Sequence, residues 1–387
     1  MKKLILPLIA ASASLAQQPA QIPKLQSPDV QADGRVIFRY FDPNAQKVNV
    51  SLEGAKSPFG MQKDAGGVWT FTTEPLPPDL YGYSFESDGS HRLDPSNPQI
   101  KPNLLSLSNV VHVPGALPLP WEDSDILHGT VHHHFYRSAV VGDNRDFYVY
   151  TPPGYDAGGS TAYPVLYLLH GFSDDASGWT AVGKANLILD TLIAERKIKP
   201  MIVVMPLGYG APEILHPNRT SGSPFQNAAL REKNFTNFRA ALIDEVLPIV
   251  ERSYRVNANR DARAIAGLSM GGAESLLTGL NRFDLFSYVG AFSAGSLGED
   301  LAVAFPQISS SANSKLHLLW IACGTEDRLI TPNRALITWL KSKDIHVTPI
   351  ETPGMHTWMV WRRNLIAFTP LLFRDTAPDA ASPATHQ

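Results

Sequence analysis

The chain has 387 residues, 44% of them apolar and 18% charged, enough for two or three domains with sizeable cores. A formal charge of −3 with no clustered run of Lys and Arg excludes the phosphate-neutralising surface that nucleic-acid binding requires. The lone cysteine, Cys323, excludes an internal disulfide.

The chain opens with "MKKLILPLIAASASLAQQ", two lysines followed by an apolar stretch from Leu4 to about Ala16. Small residues at Ala11, Ala13, Ser14 and Ala16 complete the pattern of an export signal. The stretch is too short to span a bilayer. This predicts a signal peptide over residues 1–16, cut after Ala16 or, as second choice, after Ala13, and a secreted or periplasmic protein. No cysteine lies nearby to carry a lipid. The competing reading is a buried N-terminal helix.

Residues 17–30 are polar and contain proline, and are expected to be flexible. From residue 30 to 113 the pattern is short strands broken by turns. "RVIFRYF", "KVNVSLE", "GVWTFTTE" and "YGYSFESDG" are rich in β-branched and aromatic residues and bordered by Gly, Pro, Asn or Asp. They predict a small all-β, immunoglobulin-like sandwich. Residues 114–128, with Pro114, Pro118 and Pro120, read as a semi-rigid linker.

From 129 to 373 the grammar changes. "RDFYVYTPPGY" is a strand, and "YPVLYLLHG" and "PMIVVMPLG" are continuous apolar runs, as parallel strands buried on both faces require. "KANLILDTLIAERKI" has helical spacing, and "FRAALIDEVLPIVERSY" reads as one helix containing Pro248. The strand "ARAIAGLS" and the helix "GGAESLLTGLNR" follow. "FSYVGAFSAG" and "KLHLLWIACG" are strands, "PNRALITWLKSK" is a helix, and "HVTPIETPG" is the last strand. This alternation predicts an α/β domain: a mostly parallel sheet with helices on both faces. The tail, 374–387, is expected to be disordered.

"AGLSMGGAES" places Ser269 between Gly267 and Gly271, directly after an apolar strand and directly before a helix. A three-position G-x-S-x-G match is weak alone, but strand–turn–helix is the context of a nucleophile elbow. There the serine needs small neighbours, and the helix N-terminus turns its N–H groups toward the reacting centre. The base should follow the serine, and four histidines do: His317, His346, His356 and His386. His317 falls in a strand, His346 opens one and His386 is in the tail. His356 in "TPGMHTWMVW" lies on a loop after the last strand. The orienting acid should lie between serine and base, and "CGTEDRLI" offers Asp327, with Glu326 in reserve. The oxyanion hole is assigned to the N–H groups of Met270 and of Phe172, the latter in the loop "YLLHGFSDDASGW".

His170 precedes the serine and is read as a structural member of that loop. Ser293 and Ser296 lack flanking elbow glycines and are read as strand-end residues lining the cleft. Consecutive His132, His133 and His134 cannot all face one ion from a strand, so no metal site is assigned. Trp179, Trp358 and Trp361 flank the loops. Core packing is the blander reading, with Trp179 and Trp358 the candidates for substrate contact. Residues 208–235 form a long irregular segment expected to shape the pocket. Trp69, Tyr81 and Tyr83 in the sandwich are candidates for sugar stacking, against a reading as core.

These blocks, in this order, resemble the feruloyl and acetyl-xylan esterase branch of the carbohydrate esterases. The front segment resembles glycogen-binding-like early-set sandwich modules, in "RVIFRYFDPNAQKVNV" and "LYGYSFESDGSHRLDPSNP". The resemblance implies an α/β-hydrolase fold, no cofactor, and Ser269, His356 and Asp327 as nucleophile, base and acid. It implies feruloylated or acetylated plant polysaccharide as the partner. Enterochelin esterases, which cleave siderophore trilactones, share the scaffold and are the alternative. A non-catalytic carbohydrate-binding protein is the alternative of another class.

Overall fold

The computed structural model describes residues 24–215, 227–298 and 300–374. The expected signal peptide and the tail from residue 375 lie outside the described residues. Among the described residues no helix is long and apolar enough to cross a membrane.

Ten strands build the front sandwich: β1 (Asp29–Val30), β2 (Val36–Phe41), β3 (Val48–Leu52), β4 (Phe59–Gly60), β5 (Gln62–Lys63), β6 (Val68–Thr72), β7 (Asp79–Ser87), β8 (Ser90–Arg92), β9 (Ile100–Lys101) and β10 (Ser108–Val113). One sheet has the order β1-β2-β6-β5, the other β4-β3-β7-β10-β9, with β8 paired to β7. Alternating side chains from both sheets, among them Val36, Phe38, Val50, Phe85 and Val111, close a shared core. Trp69, Tyr81 and Tyr83 belong to that core, so their rings are occupied by packing. The sandwich starts earlier than expected. Asp29 and Val30, assigned to a flexible stretch, pair with β2, and buried Ser27 bonds Asp94 at 2.6 Å. The 114–128 linker is not free either, because Trp121 within it is buried under the guanidinium of Arg362.

The second domain is an eight-stranded sheet: β11 (Thr130–Arg137), β12 (Asn144–Thr151), β13 (Val165–Leu169), β14 (Ile202–Pro206), β15 (Arg263–Leu268), β16 (Tyr288–Phe292), β17 (Leu318–Gly324) and β18 (Thr348–Thr352). Their order is β11-β12-β14-β13-β15-β16-β17-β18. The first two strands pair antiparallel and every pair from β14 onward is parallel. Strands β13 to β16 are buried at every position, which explains their unbroken apolar runs. Helices α1 (Gly178–Ala181), α2 (Ala185–Ala194), α3 (Ala228–Ala241), α4 (Leu247–Ser253), α5 (Met270–Gly279), α6 (Leu301–Ala304), α7 (Ile330–Ser342) and α8 (Trp358–Phe368) cover the faces. Separate apolar clusters fill the two sides of the sheet.

Two expectations are corrected. The single helix around Pro248 is α3 and α4 joined by a π-helical turn, Leu242–Val246. Proline has no N–H to donate, and the wider turn lets the backbone continue past it. The segment 208–235 is not irregular throughout, since α3 begins at Ala228 under a side-chain cap from Asn227.

Candidate active site

The carboxyl ends of β13, β15, β17 and β18 converge at one rim, where open α/β sheets bind ligands. Ser269 follows β15 at φ +52° and ψ −111°, a strained conformation for a residue with a side chain. Three backbone bonds hold it there. Its N–H donates to Phe292 O at 2.9 Å, while its carbonyl accepts from Gly295 at 2.8 Å and Ala273 at 3.1 Å. The elbow leaves no space beside it. A Cβ on Gly271 would sit 2.5 Å from His170 O, and one on Gly267 2.5 Å from Gly271 O.

His356 stands on the loop between β18 and α8, its Nε2 3.0 Å from Ser269 Oγ. Its Nδ1 lies 2.8 Å from Asp327 Oδ2 on the loop after β17. The Asp327 side chain is fully buried, and its Oδ1 accepts the Leu329 N–H at 2.8 Å. Burial pushes this carboxyl up. The hydrogen bond and charge of His356, with the Leu329 N–H and Ser293, outweigh burial and hold it below the usual carboxylate range. Glu326, held in reserve, is exposed and faces Lys56 at 3.7 Å. The structure thus brings Ser269, His356 and Asp327 together and leaves Glu326 outside.

Met270 opens α5, so its N–H belongs to the helix's first turn, which has no intrahelical acceptors. The backbone before Phe172 passes close to Ser269: a Cβ on Gly171 would meet Ser269 Cβ at 3.4 Å. Ser173, next to Phe172, is at φ +72°, so this loop is strained as well. His170 locks it from inside. Its Nδ1–H donates to Gly171 O at 2.8 Å and its Nε2 accepts the Gly208 N–H at 2.9 Å. Burial lowers this imidazole to about 4, so it stays neutral and structural.

Trp179 and Trp358 are not substrate platforms. Trp179 is 0% exposed, with its Nε1–H donated to Leu169 O at 2.9 Å, and Trp358 is 3% exposed. The two rings meet edge to face at 5.1 Å, filling the core beneath the loops instead of facing a ligand. Ser296 lines a 390 Å³ cavity with Gly295, Leu297 and Leu329, beside the Ser269 carbonyl.

Three further residues support the site: Ser293, which was expected to line the cleft, Trp361, which was expected in the core, and Asn333, to which the sequence did not point. Ser293 is buried and does not line the cleft as expected; it receives Trp361 Nε1–H at 3.2 Å from α8 and helps hold the Asp327 carboxyl low. The Trp361 ring meets the His356 ring edge-on at 4.8 Å. Asn333 accepts the Ala294 N–H at 3.2 Å and donates to Ala294 O at 3.0 Å, fixing the turn after β16. Each acts across the tertiary structure and leaves no local pattern to read. The histidine run disperses: His132 faces Thr151, His133 faces Asp146 and His134 faces Tyr254. Among the described residues no group of three or more His, Cys, Asp and Glu is placed to hold a metal ion.

A strand–elbow–helix serine, a loop histidine and a buried aspartate at the rim of such a sheet define an α/β hydrolase. The chain belongs to the esterase family: the family profile described as "Putative esterase" matches residues 138–372. The sandwich matches carbohydrate-binding module 48, the isoamylase N-terminal domain, over residues 26–99. An endo-1,4-beta-xylanase/feruloyl esterase of Xylanibacter ruminicola is 30% identical over 92% of this chain and 47% of its own length. An esterase of Mycobacterium tuberculosis is 31% identical over 46% of this chain and 35% of its own. The chain therefore spans about half or less of these relatives' length. The ferulic acid esterase of Anaeromyces mucronatus, solved with ferulic acid, is 26% identical with TM-score 0.55, covering 65% of this chain and 93% of that one. The enterobactin esterase of Shigella flexneri has TM-score 0.64 at 20% identity over 87% of this chain and 92% of its own, a likeness of fold.

Proposed function

We propose that the chain is an exported serine esterase that cleaves acyl esters, feruloyl first and acetyl second, from plant cell-wall carbohydrate. The observation that carries the reading is the unbroken relay from Ser269 Oγ to His356 Nε2 at 3.0 Å and from His356 Nδ1 to Asp327 at 2.8 Å. His356 takes the hydroxyl proton as Ser269 Oγ attacks the ester carbonyl, and Asp327 holds the imidazole in the tautomer that leaves Nε2 open. The Met270 and Phe172 N–H groups receive the oxyanion, each such donor contributing roughly 3–4 kcal/mol in enzymes of this type. His356 then gives its proton to the departing sugar hydroxyl. Water, activated by the same imidazole, hydrolyses the acyl-enzyme.

The acyl and sugar choice is supported by the names of the Xylanibacter and Anaeromyces proteins and by the module 48 match. Export is supported by the lysine-then-apolar pattern of residues 1–16. The deciding assay compares turnover of methyl ferulate, acetylated xylan and a catecholate trilactone by the wild type and by Ser269→Ala. Methyl ferulate should be hydrolysed fastest and Ser269→Ala should lose roughly 10⁴-fold or more in kcat. Preference for the trilactone would move the chain to the siderophore reading, and undiminished turnover by the variant would overturn the nucleophile. Sequencing the N-terminus of exported protein checks the cleavage after Ala16.

A further inference from the structure

The sandwich reaches the catalytic rim at two separate points. Glu53, directly after β3, has an 11% exposed side chain at the domain boundary. Its Oε1 accepts the backbone N–H of Trp358, 305 residues away, at 3.0 Å. Its Oε2 accepts the Gly82 N–H at 2.9 Å and pairs with Lys101 Nζ at 3.1 Å. Trp358 is the first residue of α8, two positions after His356. The N-cap of that helix, Thr357, makes no capping bond with its side chain. A carboxylate from the other domain therefore takes the capping place, where the helix dipole favours negative charge. Next along α8, Met359 packs against the sandwich core.

The second point is the loop between β9 and β10. Leu104 N–H donates to Ser173 O at 2.7 Å. Asn103 Nδ2 donates to Ser173 Oγ at 2.8 Å and to Asp174 Oδ1 at 3.3 Å. Asn103 Oδ1 meanwhile accepts the N–H groups of Leu105 and Ser106, both at 3.0 Å, so the side chain is fixed at both ends. Ser173 is the positive-φ residue beside the oxyanion donor Phe172. A strained loop persists only where its surroundings over-determine it, and part of that determination comes from the sandwich.

We propose that the sandwich is a positioning module for the catalytic centre: Glu53 fixes the loop that carries His356, and Asn103 with the Leu104 backbone fixes the loop that carries Phe172. Its most prominent aromatic side chains, Trp69, Tyr81 and Tyr83, are committed to its own core, while its polar loop residues bond the hydrolase rim. The inference rests on the esterase reading of that rim. Both residues act through others and touch no reacting atom.

The test uses the full chain with methyl ferulate. Glu53→Ala should lower kcat by about 10- to 100-fold, the scale of a small misplacement of a catalytic group, with KM within about twofold. Asn103→Ala should lower kcat and weaken binding of an aryl trifluoromethyl ketone, which forms a tetrahedral adduct on serine, by a similar factor. Arg363→Met, which breaks an ion pair across the same domain boundary but leaves the Glu53 and Asn103 hydrogen bonds in place, should keep wild-type kcat. Should Glu53→Ala fail to fold, Glu53→Asp keeps the charge but withdraws the carboxylate, and should show an intermediate kcat. Hydrogen exchange at residues 353–358 and 171–174 should quicken in the respective variants, a readout that needs no substrate. Wild-type kcat and exchange in the Glu53 and Asn103 variants, even with a lowered melting temperature, would overturn the proposal. Absence of ester turnover by the wild type would instead remove the esterase reading, leaving the exchange measurements to decide the clamp.

Discussion

Asp327 divides its oxygens between His356 Nδ1 and Leu329 N–H, so its two acceptors are committed in known directions. Asp327→Asn preserves the shape but offers an N–H where one acceptor stood, which turns the imidazole to the wrong tautomer. The expected result is a fall in kcat of about 10⁴-fold with the fold intact, measured by steady-state kinetics beside circular dichroism. A second carboxyl near the rim titrates in the opposite sense. Burial, opposed by Lys101 and the Asn103 hydrogen bond and assisted by Asp175 and Glu53, raises Asp174 from 3.8 to about 7. Unfolded, the group ionises near 3.8, whereas folded it keeps its proton to about 7. The unfolded state is therefore favoured increasingly as pH climbs from about 4 to 7, with no further loss above that. Asp174→Asn should flatten that limb of the melting temperature against pH; an unchanged limb would show that Asp174 does not cause it.

At the scale of the element, the nucleophile elbow is the most legible piece of the chain, because its steric demands write themselves into neighbouring positions. Gly271→Ala would place a Cβ 2.5 Å from a backbone oxygen, which cannot rotate away as a side chain would. Overpacking there should cost about 1–3 kcal/mol in urea unfolding and lower kcat by a larger factor than stability alone explains. The buried strands were legible for a similar reason, since continuous apolar runs admit few placements. Helix α3 was less so. Its sequence, "AALREKNFTNFRAA", is rich in helix formers but polar, and only Phe238, Ala241 and Asn234 are buried. The start signal was present in Asn227, whose side chain accepts the Leu230 N–H at 3.1 Å, yet a serine- and proline-rich stretch just before it hid the cap. Glu53 had no readable signal at all, and the sequence singles out Ser293 and Trp361 without the contacts that make them supports of the site. Their roles depend on which loop another element delivers beside them.

Across the whole molecule, the domain boundary is the feature furthest from the sequence, because its charged partners lie almost 300 residues apart. Asp79 of β7 is fully buried and bonds Arg362 and Arg363 of α8 at 2.7 Å each, across separations of 283 and 284 residues. Arg362 also donates to Leu80 O at 2.8 Å and Val182 O at 3.1 Å, so one side chain ties β7, α1's end and α8 together. The two domains should therefore unfold in a single transition. Asp79→Ala strands a guanidinium that is 1% exposed, and removing one partner of a buried pair costs about 3–5 kcal/mol. Arg363→Met breaks a pair whose arginine is 42% exposed, worth at most about 1 kcal/mol because solvent screens it. Calorimetry of Asp79→Ala should show the melt split into two transitions, one for each domain, while Arg363→Met keeps one. A single sharp transition at the wild-type temperature in Asp79→Ala would mean the domains are coupled by apolar packing, with the buried ion pair contributing little.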